Sequence, residues 1–241
     1  MKPGIPRIDF AARLFLYVLI FWLPYSPAVI ESCVITAFIL WIVKKVLQRR
    51  FASSQQSASF FPQTPINFPI CCFLFICLLS TLGSPLMGIS FKGFFTKTLE
   101  WFAILYLILE FFTEDRHIKT AMWILVATVF ATAIDSLIQY YWTYKDVFLS
   151  HAIGPGDRAT AAFKTPNGLG AYMAITTPVV LGFCLALKKF FKYYLPFILL
   201  ILAWSLAVSG SRGAELGFCV GIGFLSIQYF LKKNFTFAYI G

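Results

Sequence analysis

The sequence predicts an all-α fold: a polytopic bundle of transmembrane helices with about eight spans, the start of a ninth and a cytoplasmic N-terminus. Of the 241 residues, 59% are hydrophobic and only 12% are charged, which lies outside the range of ordinary soluble domains. Several apolar runs approach the roughly 18 to 20 residues that a bilayer-spanning helix needs. Basic residues mark the ends of these runs instead of gathering on one solvated face, which argues against nucleic acid as a partner.

The first apolar run contains two prolines. Between Arg13 and Lys44, Glu31 is the only charged residue. Pro24 and Pro27 each remove a backbone donor, so we predict that they break this run into two helices. Because both flanks are basic, the two helices should form a hairpin with both ends in the cytoplasm.

Six further spans follow a Ser/Gln-rich connection at 48–65. They are predicted at 66–82, 99–112, 119–142, 168–187, 194–208 and 214–231, and residues 235–241 are predicted to begin a ninth. A loop at 143–167 separates the fifth span from the sixth. We treat residues 1–241 as a single transmembrane domain.

Basic residues are distributed unequally across this topology. Fourteen lie on the side of the N-terminus and six on the other side. The positive-inside rule therefore favours a cytoplasmic N-terminus. The outer set is Lys92, Lys97, Lys145, Arg158, Lys164 and Arg212.

Two outer segments combine a cation with glycines just before a predicted helix. One runs from Gly154 through Arg158 to Gly168, with Asn167 as a possible N-cap; the other is 209–214. Helix N-termini carry free N–H groups and a positive dipole end. Small residues let a ligand approach the backbone, and arginine matches phosphate oxygens bidentately. These segments therefore predict a diphosphate site.

In this prediction the two arginines neutralise a diphosphate leaving group without a metal. The candidate catalytic residues are Arg158 and Arg212. The candidate substrate-binding residues are Lys164, Asn167, Ser211 and Glu215.

Other roles fit the same residues. Arg212 can be an interfacial anchor whose neighbouring small residues permit close helix packing. Arg158 can pair with Asp157 in a solvated loop, and Lys164 can be an ordinary loop cation. Glu215, near the start of the last span, favours the helix dipole and can orient Arg212.

Four polar residues lie in or near the ends of other spans. Asp135 lies well inside the fifth span with Gln139 one turn later on the same face. An intramembrane carboxylate is a functional candidate, although a neutral, hydrogen-bonded packing role is equally open. Glu31 and Glu100 fall near outer helix ends, where they can bind an acceptor or simply be solvated.

Histidine and cysteine give weaker signals. His151 lies in the outer loop, where it can be a general base or a solvated side chain, whereas His117 is predicted on the cytoplasmic side. The six cysteines lie in apolar stretches without histidines at metal-ligand spacing. We therefore predict no disulfide, metal or cofactor.

The chain carries a pair of motifs, Arg-x4-Phe-x-Thr-Pro-Asn-Gly-Leu-Gly from Arg158 to Gly170 and Ser-Gly-Ser-Arg-Gly-Ala at 209–214. Together they resemble motifs of the O-antigen ligase and O-antigen polymerase family of bacterial inner-membrane proteins. The resemblance extends to the hydropathy order of the whole chain, including the early proline hairpin. The second motif is the more specific of the two.

The resemblance implies a metal-independent glycosyltransferase of the GT-C type, multi-pass in the bacterial inner (cytoplasmic) membrane and active at the periplasmic face. Such ligases transfer a glycan from undecaprenyl diphosphate to a sugar hydroxyl of lipid A-core, in lipopolysaccharide biosynthesis, and polymerases join repeat units by similar chemistry. By motif position, Arg158 and Arg212 would engage the diphosphate. The implied partners are the undecaprenyl-diphosphate-linked glycan donor, a lipid A-core or glycan acceptor, and membrane lipid.

The chain also departs from the family pattern. Family members usually continue for several more helices and carry a large periplasmic loop with a histidine considered to be the general base. Because this chain ends at Gly241, we expect a truncated N-terminal portion, inactive alone unless a second chain supplies the C-terminal half. Two other classes stay open: a lipid-linked glycan transporter, which predicts interrupted helices in corresponding halves, and a non-catalytic membrane remnant.

Overall fold

The computed structural model describes residues 5–51, 62, 64–154, 156–187 and 189–238. Within these ranges every regular element is a helix, which confirms the all-α prediction for them. The α-helices are α1 (Ile5–Trp22), α2 (Pro27–Phe51), α3 (Asn67–Leu82), α4 (Met87–Gly93), α5 (Leu99–Phe111), α6 (Asp115–Ile138), α7 (Pro166–Ala186), α8 (Lys189–Ser209) and α9 (Arg212–Ala238). Two π-helical turns, Phe94–Thr98 and Gln139–Thr143, join α4 to α5 and extend α6.

Within the described residues, two helical segments are long and apolar enough to cross a membrane. They are Asp115–Thr143 and Pro166–Ala186. The apolar helices Asn67–Leu82 and Tyr193–Ser209 are shorter. These segments indicate a membrane protein, and the full eight-span topology stays a prediction.

Prolines determine the first helix boundary, as the sequence predicts. The α1 helix ends at Trp22, whose carbonyl accepts hydrogen bonds from the N–H groups of Tyr25 (3.0 Å) and Ser26 (3.2 Å). The α2 helix then begins at Pro27, because proline suits the first helical position.

The other end of the chain differs from the prediction. Residues 235–238 continue α9, which covers the predicted eighth span, instead of starting a ninth span. No proline or glycine interrupts 224–240, so nothing in this sequence stops the helix. Residues 239–241 lie outside the described ranges.

The described helices form two compact units. The first comprises Met1–Leu19 and Pro27–Lys119, and ion pairs join its helices at two levels. At the first level, Lys97 Nζ lies 2.9 Å from Glu31 Oε1 on the surface. At the second level, the partly buried Glu110 carboxylate lies between the ammonium groups of Lys44 (3.1 Å) and Lys45 (3.0 Å).

These two levels show that α2 and α5 run parallel. Thirteen residues separate Glu31 from Lys44, and thirteen separate Lys97 from Glu110. At about 1.5 Å of rise per residue, the two levels lie about 20 Å apart. Lys44 also pairs with Asp9 at 2.9 Å, which brings α1 alongside α2 as a hairpin.

His117 joins α1 to the start of α6 in the same unit. Its Nε2 lies 3.0 Å from Arg13 Nη1, and its Nδ1 lies 3.3 Å from the Tyr17 hydroxyl. Since an arginine only donates hydrogen bonds, Nε2 is the acceptor of the Arg13 bond. His117 therefore has a structural role in this contact.

The second unit comprises Ile20–Ser26 and Thr120–Gly241. Its central helix is α7, which packs against α8 and α9 through buried residues such as Leu169, Met173 and Leu202. A Cβ at Gly170 would lie 2.7 Å from Ser211 Cβ and 2.9 Å from Ser209 Oγ. Glycine at 170 therefore lets α7 approach the turn between α8 and α9.

Candidate functional site

Gln139, the first residue of the π-turn that extends α6, binds the loop that follows through its side-chain amide. Its Oε1 accepts hydrogen bonds from the N–H groups of Thr160 and Ala161, both at 2.8 Å. Its Nε2 donates to the His151 carbonyl and the Thr160 hydroxyl, both at 3.0 Å. The side chain is 0% exposed, and these bonds use both amide hydrogens and both oxygen lone pairs. Gln139 therefore holds the chain in place just after Arg158.

Asp135 holds another part of the same loop. Its side chain is buried, at 2% exposure, and Oδ1 accepts a hydrogen bond from Val147 N at 2.7 Å. Oδ2 is buried and makes no hydrogen bond with the described residues. The structure thus shows a loop-anchoring contact for Asp135, and any further role stays a hypothesis.

Asp146 orders the first part of the loop and lies beside His151. The carboxylate accepts hydrogen bonds from the N–H groups of Phe148, Leu149 and His151. His151 Nδ1 lies 3.7 Å from Asp146 Oδ2, and its side chain is 38% exposed. His151 Nδ1 is buried and makes no hydrogen bond with the described residues, so Asp146 holds the main chain of His151 and not its ring, and a general-base role stays a hypothesis.

Arg158 is fixed between two helices. Its Nε donates a hydrogen bond to the Ser209 carbonyl at 2.8 Å, and its Nη2 donates to Asn167 Oδ1 at 3.0 Å. Ser209 ends α8, whereas Asn167 lies in the first turn of α7. Among the residues that the structure describes, Arg158 forms no ion pair with Asp157, so the solvated-loop pairing is not observed.

The turn between α8 and α9 lies directly against Arg158. Gly210 in this turn has φ +57°, a left-handed conformation that glycine adopts without strain. A Cβ at this position would lie 3.0 Å from Arg158 Nε. Glycine is therefore required both for the backbone conformation and for the close approach of the guanidinium.

The N-cap of α7 is Thr165, and the prediction of Asn167 as the cap is wrong. Thr165 Oγ1 accepts a hydrogen bond from Gly168 N at 3.2 Å. Pro166 occupies the first helical position, where its missing N–H is not needed. The cap is therefore the residue directly before Pro166, two positions before Asn167. The Asn167 side chain accepts the hydrogen bond from Arg158 instead.

Arg212 begins α9 on the other side of the Gly210 turn. Its side chain is exposed and makes no hydrogen bond or ion pair with the described residues. Arg212 is three residues after Ser209, a separation of about 10 Å at most, so Arg212 follows closely on the carbonyl that Arg158 contacts. The structure thus brings Arg158, Asn167 and the segment carrying Arg212 together.

The remaining substrate-binding candidates lie in or beside this region. Ser211 is buried in the turn, and its carbonyl accepts a hydrogen bond from Glu215 N at 2.9 Å. Glu215 is exposed in the first turn of α9 and makes no ion pair with Arg212 in the described ranges. Lys164 is exposed just before the Thr165 cap. Lys164 and Glu215 therefore share the region with the arginines without contacting them.

Two groups of this site are absent from the candidates that the sequence predicts. The Ser209 carbonyl is a main-chain acceptor, so its role leaves no mark in the side-chain pattern. Thr165 precedes Pro166, and that Thr-Pro pair is a usable signal for an N-cap followed by proline at the first position.

The described residues contain no cluster of three or more His, Cys, Asp or Glu side chains that could hold a metal ion. The six cysteines are free. The positive charges at the candidate site come from Arg158, Arg212 and Lys164, together with the two helix N-termini, and Glu215 in the first turn of α9 adds one negative charge. This arrangement can bind an anion by charge and by N–H donors.

Comparison with known proteins finds no match to a protein family, to a curated protein or to a solved structure. The structure itself defines a helical protein with two membrane-length apolar segments and an arginine-bearing turn.

Proposed function

We propose that the protein is a membrane glycosyltransferase of the O-antigen ligase or polymerase type that binds the diphosphate of an undecaprenyl-diphosphate-linked glycan. The observation that carries the proposal is the position of Arg158, which joins the first turn of α7 to the turn that leads into Arg212. In this proposal the chain is a multi-pass inner-membrane bundle with a cytoplasmic N-terminus. The arginines lie at the periplasmic face.

The hydrogen-bond capacity of the two arginines supports a diphosphate ligand. A guanidinium has five N–H donors, and Arg158 uses one from Nε and one from Nη2 for protein contacts. The others are available to phosphate oxygens. Arg212 has no partner among the described residues, so its planar fork can bind a second phosphate bidentately.

The helix ends support the same ligand. Asn167 lies in the first turn of α7, and Arg212 is the first residue of α9. Both helix N-termini are therefore close to the side chain of Arg158 or to the backbone that it contacts. Aligned peptide dipoles and free N–H groups at these ends favour an anion.

The proposed reaction is a displacement at the anomeric carbon of the donor glycan. The oxygen of a sugar hydroxyl of the acceptor, lipid A-core or another glycan, forms the new bond to this carbon, and the hydroxyl proton passes to water. The bond from the carbon to the phosphate oxygen breaks, and its electron pair leaves with the lipid diphosphate. Arg158 and Arg212 stabilise the charge that develops on this leaving group.

The first unit supports the multi-pass topology. Its parallel helices α2 and α5 carry ion pairs at two levels about 20 Å apart. Glu31 and Lys97 form the outer pair, and Lys44 and Glu110 form the inner one. Mainly apolar residues lie between them. Because about 20 Å is shorter than the roughly 30 Å of a bilayer core, the support comes from the parallel direction of the two helices, which the second and fourth spans of the predicted topology share.

Glycan attachment in cells that depend on this protein tests the proposal. We expect Arg212→Ala to abolish attachment, because the exposed side chain has no contact with the described residues that the fold would lose. Lys145→Ala, which removes another exposed outer cation, is the matched control and should retain attachment. Normal attachment with Arg212→Ala would overturn the assignment.

Two other classes of protein, a transporter and a non-catalytic remnant, would give different results in assays of transport and glycan transfer. A lipid-linked glycan transporter would move the donor across vesicle membranes without joining it to an acceptor. A non-catalytic remnant would give neither transport nor transfer with purified donor. Ligase and polymerase differ in the acceptor, so transfer to lipid A-core or to a growing glycan separates them.

A further inference from the structure

A groove of about 660 Å³ lies in the first unit, lined by α2 and by the helical segment from α4 through the π-turn into α5. Its volume is within the range of about 300–1,000 Å³ that small-molecule sites occupy. Apolar side chains from both helices form most of the lining, and Glu31, Lys92, Lys97 and Glu100 supply its charges.

The π-turn Phe94–Thr98 explains why Lys92 and Glu100 both reach the groove. Eight residues separate them, which in a regular α-helix would place them about 80° apart around the axis. A π-turn accommodates one extra residue. The angle between Lys92 and Glu100 around the helix axis is therefore that of two residues seven positions apart in a regular α-helix. Seven residues are about two full turns, and both side chains therefore lie on one wall.

On the α2 wall, charge and apolar surface are separated along the groove. Glu31 and Glu100 lie near the starts of the parallel helices α2 and α5. The α2 wall then continues with Val34, Ile35 and Phe38, one to two turns further along. This polarity matches an amphiphile with its head at the helix starts and its chain along the helices.

The apolar part of the groove is open at its sides. The side chains of Ile35 and Phe95 are 61% and 59% exposed within the chain. In a bilayer, hydrocarbon chains cover such side chains at no cost.

The charges at the groove carry both signs. Glu31 and Lys97 pair with each other at 2.9 Å. Lys92 and Glu100 form no hydrogen bond or ion pair through their side chains with the described residues, which leaves one cation and one carboxylate for a ligand. A phosphate linked to a primary ammonium complements this combination.

We propose that the groove binds a phospholipid whose headgroup carries a phosphate and a primary ammonium. Lys92 binds the phosphate, Glu100 accepts hydrogen bonds from the ammonium, and one acyl chain lies between α2 and α5. Lys92 and Glu100 are about 10 Å apart along the helix axis, and their flexible side chains span this headgroup. The site depends on the proposed membrane placement and not on the diphosphate site of the second unit.

Native mass spectrometry of the purified full chain, titrated with phosphatidylethanolamine, phosphatidylcholine or phosphatidylglycerol, tests this proposal. We expect phosphatidylethanolamine to bind most tightly, because a quaternary ammonium cannot donate hydrogen bonds and an anionic head is repelled by Glu100. Glu100→Gln should remove most of the preference over phosphatidylcholine. Lys92→Gln should weaken binding of all three lipids by about tenfold, the effect of one charge-assisted hydrogen bond.

Two further variants complete the test. Ala103→Trp fills the groove and should exclude lipid, whereas Asp115→Asn changes an exposed carboxylate elsewhere and should bind as the unaltered protein does. Equal binding of the three lipids, or an unchanged preference in Glu100→Gln, would overturn the proposal. Diphosphate binding measured on the same samples shows separately whether the function proposed for the second unit fails.

Discussion

The Nε atom of Arg158 donates a hydrogen bond to the carbonyl oxygen of Ser209 at 2.8 Å. This bond joins residues 51 positions apart, from the loop before α7 and the last residue of α8. It explains why Arg158 is not a freely moving loop cation. The remaining guanidinium donors are held beside the start of α9, where Arg212 begins the helix.

Gly210→Ala should destabilise the turn that Arg158 contacts. A Cβ would lie 3.0 Å from Arg158 Nε in a residue with φ +57°, and the left-handed conformation alone costs about 1–2 kcal/mol for a non-glycine residue. We expect a lower midpoint of thermal unfolding in detergent. Gly213→Ala is the control, because nothing lies within 4 Å of its Cβ position, and it should leave the midpoint unchanged or raise it. Equal midpoints for the two variants would contradict the turn geometry.

Gly170→Ala should force α7 away from the turn between α8 and α9. The new methyl group would lie 2.7 Å from Ser211 Cβ and 3.0 Å from Ala214 Cβ, and overpacking of this kind costs about 1–3 kcal/mol. Gly217→Ala has open space around its Cβ position and serves as the control. We expect only the Gly170 variant to unfold at a lower temperature. A stable Gly170→Ala protein would show that the helices are not so close.

Gln139→Ala should loosen the loop before α7. It leaves the buried N–H groups of Thr160 and Ala161 without their acceptor, at a cost of about 1–3 kcal/mol for each unsatisfied group. Hydrogen exchange at these two amides should accelerate. Gln228→Ala removes an exposed amide from α9 and should leave their exchange unchanged. Unchanged protection in the Gln139 variant would mean that other groups hold the loop.

Glu110→Gln should destabilise the first unit much more than Glu31→Gln. The Glu110 side chain is only 12% exposed and pairs with both Lys44 and Lys45, and breaking an ion pair that is fully buried costs about 3–5 kcal/mol, which is the upper limit here. The Glu31–Lys97 pair is exposed to solvent, so its loss should change the unfolding midpoint little. Denaturant unfolding of both variants measures the difference. Equal destabilisation would mean that the Glu110 network is open to water.

Several features of the fold follow directly from the sequence. Pro24 and Pro27 predict the break between α1 and α2, and the long apolar runs predict the positions of α6 and α7. The continuation of α9 past residue 235 was missed because a cluster of polar residues resembles a loop between spans. Helix formation there continues because no residue removes a backbone donor.

The candidate site was predictable only in part. Arg158, Asn167 and Arg212 could be selected by residue type and spacing. Their arrangement depends on the Ser209 carbonyl and on the four hydrogen bonds of Gln139. A main-chain acceptor has no residue signature, and one buried amide can serve many local structures. The sequence therefore predicts the participating side chains better than the contacts that position them.

The affinity of the purified protein for undecaprenyl diphosphate, compared with undecaprenyl monophosphate, tests the central claim most directly. Two arginines at one turn should favour the diphosphate, and Arg212→Ala should lower this preference by about tenfold or more, since a charge-assisted hydrogen bond is worth about 1.5–3 kcal/mol. Equal affinity for the two lipids, or an unchanged preference in the Arg212→Ala protein, would contradict the proposed diphosphate site.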